Sequence, residues 1–315
     1  MLVEEELAKF SSKKDSVLTI GVFDGVHLGH KHLLTELLKQ ARQKKMLAGV
    51  VTFRQHPEDL LSSGKKLPFI TDIETRIKLL REAGIDFVVP LSFTKQLAHL
   101  DARTFVGLLQ KYLKMRGLVI GSDFALGKAR QGDTDTLKKL GSELDFSVTI
   151  VSPLTLKGEV VSSTAIRKAL ADGDMEKYNH LTGHPFTLHG RVVTGTGRGE
   201  GFGFPTANLN VSSGQAVPPD GVYAGLAHIN GKVHQTMTNI GRNPTFGKNE
   251  RTIEAYLLDY SGDLYGHELS VDFVSRLRDE IKFKNIEELK KQLAKDVKQG
   301  KIILNSTKEG SKWNR

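Results

Sequence analysis

The chain of 315 residues contains no cysteine, a single tryptophan and only 7% aromatic residues. Without cysteine it forms no disulfide, no thiolate zinc site and no cysteine nucleophile. A long apolar run is also missing, and charges from Glu4 to Asp15 interrupt the first fifteen residues. These features argue against a signal peptide and a membrane helix, and they predict a cytoplasmic protein.

The charge balance is basic, with a formal net charge of +9. Excess positive charge favours anionic partners, and nonspecific attraction to nucleic acid is one explanation. The lysines, however, form short separate clusters such as Lys44-Lys45 and Lys290-Lys291, and no basic stripe interleaved with aromatics occurs. We therefore expect small phosphorylated substrates and treat nucleic acid as the weaker alternative.

Residues 16–170 alternate between short apolar runs and helical patterns, and the chain is long enough for about two domains. The apolar runs predict strands at residues 17–22, 47–53, 87–91, 118–120 and 148–151. Helical spacing is seen at residues 104–113 and 135–144, and in the apolar face of Leu33, Leu34, Leu37, Leu38 and Ala41. Strands that alternate with helices predict parallel pairing, and therefore an α/β, Rossmann-like domain over residues 1–183.

Residues 184–315 follow a different pattern, in which short strands and turns predict a small antiparallel β-barrel closed by one helix. Asn230-Gly231 is typical of a type I′ hairpin turn, and a second hairpin is predicted between residues 252–260 and 269–274. Asn285 and Glu288 form a capping-box pattern at the start of the closing helix. The predicted apolar face of this helix contains Ile286, Leu289, Leu293 and Val297, and the polar residues 305–315 are predicted to be loose.

The segment from Gly21 to His30 reads GVFDGVHLGH and lies at the predicted junction of the first strand and the first helix. His27 and His30 can place their imidazoles on one side, where the free N–H groups of the helix start also point. That arrangement binds polyphosphate, and Gly21, Gly25 and Gly29 would let the backbone approach a nucleotide closely. Two polar surface histidines are the simpler alternative, whereas zinc is disfavoured because no further ligand set is present.

This segment resembles the His-x-Gly-His signature of the nucleotidyltransferase superfamily, and it is most similar to the flavin branch. Matching segments follow in order: Thr52-Phe53 with His56-Pro57, then residues 121–127, then residues 161–167. Apart from its ends, the whole chain resembles the prokaryotic bifunctional riboflavin kinase/FMN adenylyltransferase (FAD synthetase) family.

For the N-terminal half, the resemblance implies that the phosphate of FMN attacks the α-phosphorus of ATP, giving FAD and pyrophosphate. By similarity, His27 and His30 would hold the ATP phosphates and stabilise the transition state. Ser163, Thr164 and Arg167 would hold the leaving pyrophosphate, although helix capping alone could explain the two hydroxyls. The remaining residues that the resemblance places at ATP are Gly21, Phe23, Asp24, Gly25 and Asp123.

Flavin binding in this half is assigned by similarity to Phe53 and His56, and simple core packing is the alternative for Phe53. The sequence departs from the family pattern where Arg54-Gln55 replace Glu-Pro and where Leu126 replaces an aromatic residue.

A second segment, residues 195–208, is rich in glycine and ends in Pro205-Thr206-Ala207-Asn208. Its amide groups could surround phosphate, and Thr206 and Asn208 offer oxygens that suit Mg²⁺. A glycine-rich stretch alone often only turns a corner, but the tetrapeptide resembles the riboflavin kinase signature. The predicted phosphate and nucleotide contacts are Gly197, Arg198, Gly201, Gly203, Thr206 and Asn208.

Riboflavin phosphorylation needs a base for the 5′-hydroxyl, and Glu254 falls at the position of the family's catalytic glutamate. The alternative for Glu254 is a solvated strand face shared with Thr252 and Tyr256. The resemblance also implies that Arg278 and Phe283 close over flavin and nucleotide, although both Arg198 and Arg278 could instead form surface salt bridges.

The expected function is therefore the conversion of riboflavin to FMN and of FMN to FAD, with ATP, riboflavin and FMN as substrates and Mg²⁺ as cofactor. Two alternatives stay open. The chain could be an adenylyltransferase whose barrel serves only as a scaffold, or it could be a flavin- or RNA-binding regulator without turnover.

Overall fold

The chain divides into two units, Met1–Ser163 and Thr164–Arg315. A computed structural model describes residues 3–61, 67–128, 131–195, 203–242 and 251–310. Each unit is built around its own sheet, as the change of pattern in the sequence predicts.

The first unit contains a sheet of five parallel strands in the order β3-β2-β1-β4-β5. The strands are β1 (Ser16–Ile20), β2 (Leu47–Phe53), β3 (Phe87–Leu91), β4 (Met115–Gly121) and β5 (Ser147–Val151). β2 and β4 lie on opposite sides of β1, so the strand order reverses between β1 and β4. In folds of this kind ligands bind at the carboxyl ends of the strands beside such a reversal. The Rossmann-like prediction is confirmed.

Helices cover both faces of this sheet. They are α1 (Val3–Ala8), α2 (Leu28–Gln43), α3 (Pro57–Leu61), α4 (Ile73–Glu82), α5 (Lys95–His99), α6 (Ala102–Leu113) and α7 (Thr134–Leu144), with a 3-10 turn at Asp24–Val26. Val17 packs in one cluster with Leu34, Leu37 and Ala41 of α2, and Leu18 packs in the other with α6 and α7. Successive residues of a strand point to opposite faces, so a buried strand must be apolar on both sides.

The second unit is a closed antiparallel barrel in the order β10-β11-β12-β9-β8-β13. Two short strands, β6 (Thr155–Leu156) and β7 (Glu159–Val160), precede it in the chain. The barrel strands are β8 (Phe186–Val193), β9 (Ala207–Val211), β10 (Gly221–Ile229), β11 (Lys232–Gly241), β12 (Thr252–Leu257) and β13 (Glu268–Arg278). Phe273 is fully buried and contacts the rings of Phe186 and Tyr223 at 5.8 and 5.3 Å. The barrel interior is therefore packed with side chains.

One hairpin of the barrel is confirmed and the other prediction is wrong. β10 and β11 are joined by Asn230 and Gly231, whose φ values of 49° and 72° are those of a type I′ turn. β12 instead pairs with β11 and β9, while β13 pairs with β10 and β8. Both edges of β12 are already occupied, so the following segment crosses the barrel instead of folding back on it.

Three helices flank the barrel strands in the chain: α8 (Ser163–Asp172), α9 (Met175–Thr182) and α10 (Ile286–Gly310). The Asn179 side chain of α9 donates to the Val274 carbonyl at 3.2 Å, and the Tyr178 ring lies 5.5 Å from Phe186. Thus α9 packs on the barrel although it precedes residue 183. The domain boundary at that residue stays a prediction.

The closing helix α10 begins as predicted, because the Glu288 amide donates to Asn285 Oδ1 at 2.9 Å. Val297 and Leu304 pack against the outer face of the barrel, whereas Ile286 is 46% exposed and does not belong to the buried face. Gly300 lies directly against the end of the Met237 side chain, which would have to shift to admit a Cβ. The helix continues to Gly310, so the prediction that residues 305–315 are loose is wrong for residues 305–310, and residues 311–315 lie outside the described residues. Gln235 of β11 donates to the Asn305 side chain at 2.8 Å and holds this turn.

Candidate active sites

His27 and His30 lie at the carboxyl end of β1, where α2 begins. His27 is the N-cap residue of α2, and its Nδ1 accepts from the His30 amide at 3.2 Å. Its other ring nitrogen lies 3.2 Å from Ser163 Oγ, so the neutral ring donates there. The two imidazoles stack with their centroids 3.5 Å apart. The structure thus brings together three of the residues that the sequence assigns to ATP.

His30 is an uncharged ring poised to form a further hydrogen bond. Burial, the neighbouring His27 and the charge of Arg76 together hold the pKa of His30 well below its usual value. Its Nδ1 is buried and has no hydrogen-bond partner within the described part of the chain. A neutral imidazole can donate to or accept from a ligand without the cost of desolvating a charge.

Gly29, between the two histidines, marks a close contact of two segments. A Cβ built there would lie 2.7 Å from the Val161 carbonyl oxygen and 3.0 Å from His27 Nδ1. Glycine is therefore required at position 29 because residue 161 packs against the start of α2. This requirement does not involve a bound nucleotide.

Asp24 is buried within the turn that follows β1. Its carboxylate accepts from the amides of Ile70 and Thr71, each at 3.0 Å, and lies 3.6 Å from His56 Nε2 and 3.8 Å from Arg76 NH2. These partners use both oxygens within the protein. Contact of Asp24 with ATP stays a prediction. In the structure its side chain instead binds the amides of residues 70 and 71.

The other predicted residues of this half lie around the same edge of the sheet or on α8. Asp123 follows β4 and is exposed, and its Oδ1 would lie 3.1 Å from a Cβ at Gly121. Thr164 is exposed in the first turn of α8, and Arg167 is half-buried one turn later. Gly21 faces the Phe23 ring, because a Cβ at Gly21 would lie 3.1 Å from that ring.

The two residues assigned to flavin have different surroundings. Phe53 is in the hydrophobic core and makes an edge contact with Phe93 at 5.3 Å, as the packing alternative expects. His56 is buried and stacks on Phe69 at 4.1 Å. At the positions that depart from the family, Gln55 accepts from the Phe93 amide at 3.0 Å and Leu126 is buried.

A row of polar side chains crosses three strands of the barrel. Asn208 of β9 lies opposite Glu254 of β12, which in turn lies opposite Asn239 of β11. Directly opposite residues share a face, and Ile253 and Ala255 point to the buried side. The three polar residues are only half-buried, so the row lies on the outer surface of the barrel.

The Glu254 carboxylate is held in place by a neighbour on its own strand. The Thr252 hydroxyl donates to Glu254 Oε1 at 3.2 Å. Gly195 runs directly beside the Asn208 amide and leaves no space there for a side chain of its own. Phe204 contacts the ring of Tyr256 at 5.3 Å and fixes the end of the glycine-rich segment. Thr206, half-buried, lies immediately before β9.

The comparisons with known proteins agree with this division into two sites. Residues 9–165 match the family model described as FAD synthetase, and residues 182–304 match the one described as riboflavin kinase. A bifunctional riboflavin kinase/FMN adenylyltransferase from Listeria monocytogenes is 36% identical over 284 residues, which are 90% of each chain. Its namesake from Escherichia coli K12 is 38% identical over 89% of this chain and 90% of that one. The chain belongs to the bifunctional riboflavin kinase/FMN adenylyltransferase family.

One solved structure shows the family fold under another name. A crystal structure described as a macrolide-efflux protein from Streptococcus pneumoniae covers 94% of this chain and 96% of its own, with a TM-score of 0.86 and 31% identity. The description as an efflux protein applies to that structure alone. Within the residues that the structure of our chain describes, no helix combines the length and the apolar character needed to cross a membrane.

Within this family member, several predicted kinase residues can be placed and others cannot. Gly203 is exposed, with φ of 83°, whereas Gly197, Arg198 and Gly201 lie outside the described residues. Arg278 forms a two-pronged ion pair with the buried Asp296 of α10, with N···O distances of 2.7 and 3.0 Å, and lies 6.0 Å from the Phe283 ring. Arg278 therefore forms a salt bridge, as the alternative expects, but a largely buried one instead of a surface one. Its contact with flavin stays a prediction.

Magnesium binding at Thr206 and Asn208 stays a prediction, and the chemistry of the donors there suits it. Thr206, Asn208 and Glu254 offer hydroxyl, amide and carboxylate oxygens, which are the hard donors that Mg²⁺ prefers. Among the described residues, no cluster of three or more His, Cys, Asp or Glu side chains could hold a metal. Such a sparse donor set suits an ion that keeps several waters and is held largely by substrate phosphates.

Two residues of the sites are not among those predicted above. Arg76 of α4 is completely buried, and Asn239 completes the polar row of the barrel. Arginine is a common surface residue of helices, so its burial has no signal in one sequence. Asn239 could have been found, because the hairpin register that follows from Asn230-Gly231 places it on the outer face.

Proposed function

We propose that the barrel phosphorylates riboflavin and that the Rossmann-like unit joins the resulting FMN to AMP. Both activities are those by which the family is named. The proposal concerns which residues perform each step, and it treats ATP, riboflavin and FMN as the substrates.

Adenylyl transfer needs alignment and charge stabilisation, because the attacking phosphate of FMN is already ionised. The observation that carries this assignment is the stack of His27 on His30 at the carboxyl end of β1, with Ser163 in hydrogen-bonding distance. His30, kept neutral, would donate to the α-phosphate oxygens, and His27 would orient it. Thr164 and Arg167 at the start of α8 would hold pyrophosphate, and the Phe53 and His56 region would receive the flavin.

Riboflavin phosphorylation needs a base beside the phosphates. The observation that carries this assignment is the pairing of Asn208 with Glu254 on the outer face of the barrel. Glu254 is half-exposed and can take the proton of the 5′-hydroxyl as that oxygen attacks the γ-phosphorus. Thr206 and Asn208 would hold Mg²⁺, which when bound neutralises charge that develops on the phosphates.

The test separates the two centres in one chain. Purified protein is incubated with riboflavin, ATP and Mg²⁺, and the flavins are separated over time; we expect FMN first and FAD later. Asn208→Ala should abolish riboflavin phosphorylation but leave FMN adenylylation, and His30→Ala should do the reverse.

Matched controls are available on the same elements. Asn210→Ala changes an exposed asparagine two residues further along β9, and His32→Ala changes an exposed histidine of α2. Both controls should keep both activities. If Asn208→Ala leaves FMN formation intact, Asn208 does not belong to the kinase site, and if the wild type forms no FMN, the barrel is a scaffold. If one substitution stops both steps in a folded chain, the two centres are not separate.

A further inference from the structure

The turn that carries the two histidines has an unfavourable backbone. Phe23 and Val26 have φ values of 53° and 35°, a region that side chains other than glycine rarely adopt, and Gly25 between them has φ of 75°. For a β-branched residue such as Val26 this conformation persists only when the surroundings enforce it. The residues that enforce it therefore determine where His27 and His30 lie.

Asp24 ties this turn to residues 70–71. Its two oxygens accept from the amides of Ile70 and Thr71, and the Thr71 hydroxyl also donates to Oδ1 at 3.3 Å. In return, the Gly25 amide donates to Thr71 Oγ1 at 3.0 Å. The turn and residues 70–71 are thus held by bonds in both directions, all of them buried.

Arg76 anchors the other side of this connection. It is fully buried on α4, and NH1 donates to the Phe53 carbonyl at 2.8 Å, at the end of β2. NH2 donates to the Thr71 carbonyl at 3.2 Å and lies 3.8 Å from Asp24. The guanidinium also lies over the Phe69 ring at 4.4 Å. A planar group with several donors can join these partners at once, which a lysine cannot do.

We propose that Asp24, Thr71 and Arg76 are positioning residues for adenylyl transfer, which hold the turn before α2 so that His27 and His30 face the reacting phosphates. The inference rests on the proposed function of this site. It concerns how the histidines are placed, and none of the three residues is required to touch ATP. The charge of Arg76 acts in the same direction, because it contributes to the low pKa of His30.

The sharpest test is a pair of substitutions at Thr71. Thr71→Val keeps the shape and removes the hydroxyl, whereas Thr71→Ser keeps the hydroxyl and removes a methyl group. If the hydroxyl positions the turn, kcat for FMN adenylylation falls about tenfold in Thr71→Val, while Thr71→Ser retains most of it. If Thr71 only fills space, Thr71→Ser is the more damaged of the two, and this order would overturn the proposal.

The same substitution can be made at a threonine with no such task. Thr19 of β1 is fully buried, and its hydroxyl has no partner among the residues described. Thr19→Val should therefore keep kcat within about twofold. All assays are run well below the melting temperature, with circular dichroism to confirm folding and riboflavin phosphorylation in the same sample as a reference.

Three further variants test the ion pair itself. Asp24→Asn places an NH₂ group where amide donors now point, and we expect kcat to fall about 100-fold with KM for ATP changed less than threefold. Arg76→Lys should retain more activity than Arg76→Met, because it keeps the charge. A raised KM with unchanged kcat in Asp24→Asn would mean direct ATP binding and would refute positioning. If the wild type forms no FAD, the proposed function has failed instead.

Discussion

Replacing Gly29 with alanine tests whether the tight passage between α2 and residue 161 matters for catalysis. The new Cβ would lie 2.7 Å from the Val161 carbonyl oxygen, about 0.7 Å closer than the shortest ordinary van der Waals contact. It would also lie 3.0 Å from His27 Nδ1. Either the start of α2 or residue 161 must move by about that distance, and both carry residues of the proposed site.

The expected size of the effect follows from this displacement. A misplacement of about 1 Å costs about 10²-fold in rate, so a shift of about 0.7 Å should lower FMN adenylylation more than about tenfold. Riboflavin phosphorylation should not change. The assay is the initial rate of FAD formation from FMN and ATP, with kcat and KM measured separately.

Two other glycines serve as controls. Gly141 of α7 has a similar clash, because its Cβ would lie 2.6 Å from the Phe146 carbonyl oxygen, whereas Gly107 of α6 has nothing within 4 Å. Gly141→Ala should lower stability by about 1 to 3 kcal/mol without a specific loss of rate. Gly107→Ala should be stabilising by up to about 1 kcal/mol. If Gly29→Ala adenylylates FMN as fast as Gly107→Ala, the reasoning about the contact at residue 161 is refuted.

Three further predictions concern single side chains. Glu254→Gln should lower kcat for riboflavin phosphorylation about 10²- to 10⁴-fold and leave FMN adenylylation unchanged; a loss below tenfold in steady-state assays would exclude a base at this position. Asp296→Asn removes the charge that pairs with Arg278 and should lower the free energy of unfolding in urea by about 2 kcal/mol. Its control, Asp279→Asn at an exposed carboxylate, should change that free energy by less than about 0.5 kcal/mol. The lowered pKa of His30 means that the unfolded chain binds the proton more readily, so stability present above about pH 6.5 should decline as the pH falls below it. Urea unfolding of the wild type and His30→Gln at pH 7.5 and 5.5 measures this contribution, and an equal pH dependence in both proteins would contradict it.

Much of the first unit could be predicted because a parallel strand that is buried on both faces is an uninterrupted run of apolar residues in the sequence. The strands at residues 47–53 and 87–91 have the predicted bounds. The first strand ends at Ile20 instead of residue 22, because the left-handed Phe23 follows so closely. Nothing in local composition records that backbone angle in a phenylalanine.

In the barrel, local turn chemistry was readable and long-range pairing was not. Asn230-Gly231 carries its own geometry in two residues. The partners of β12 depend on which edges of other strands are free, which is a property of the whole closed sheet. The burial of Arg76 could not be predicted for the same reason, since it results from β2, residues 69–71 and α4 coming together in space.

The polar row of the barrel lies on its outside, while rings such as Phe273 fill its inside. The scaffold and the reaction chemistry of this unit can therefore vary independently. A library that randomises the enclosed apolar positions while keeping Asn208 and Glu254 should yield many phosphorylating variants of widely differing melting temperature. The residues that fill the barrel could then be exchanged without disturbing the proposed catalytic residues on its surface.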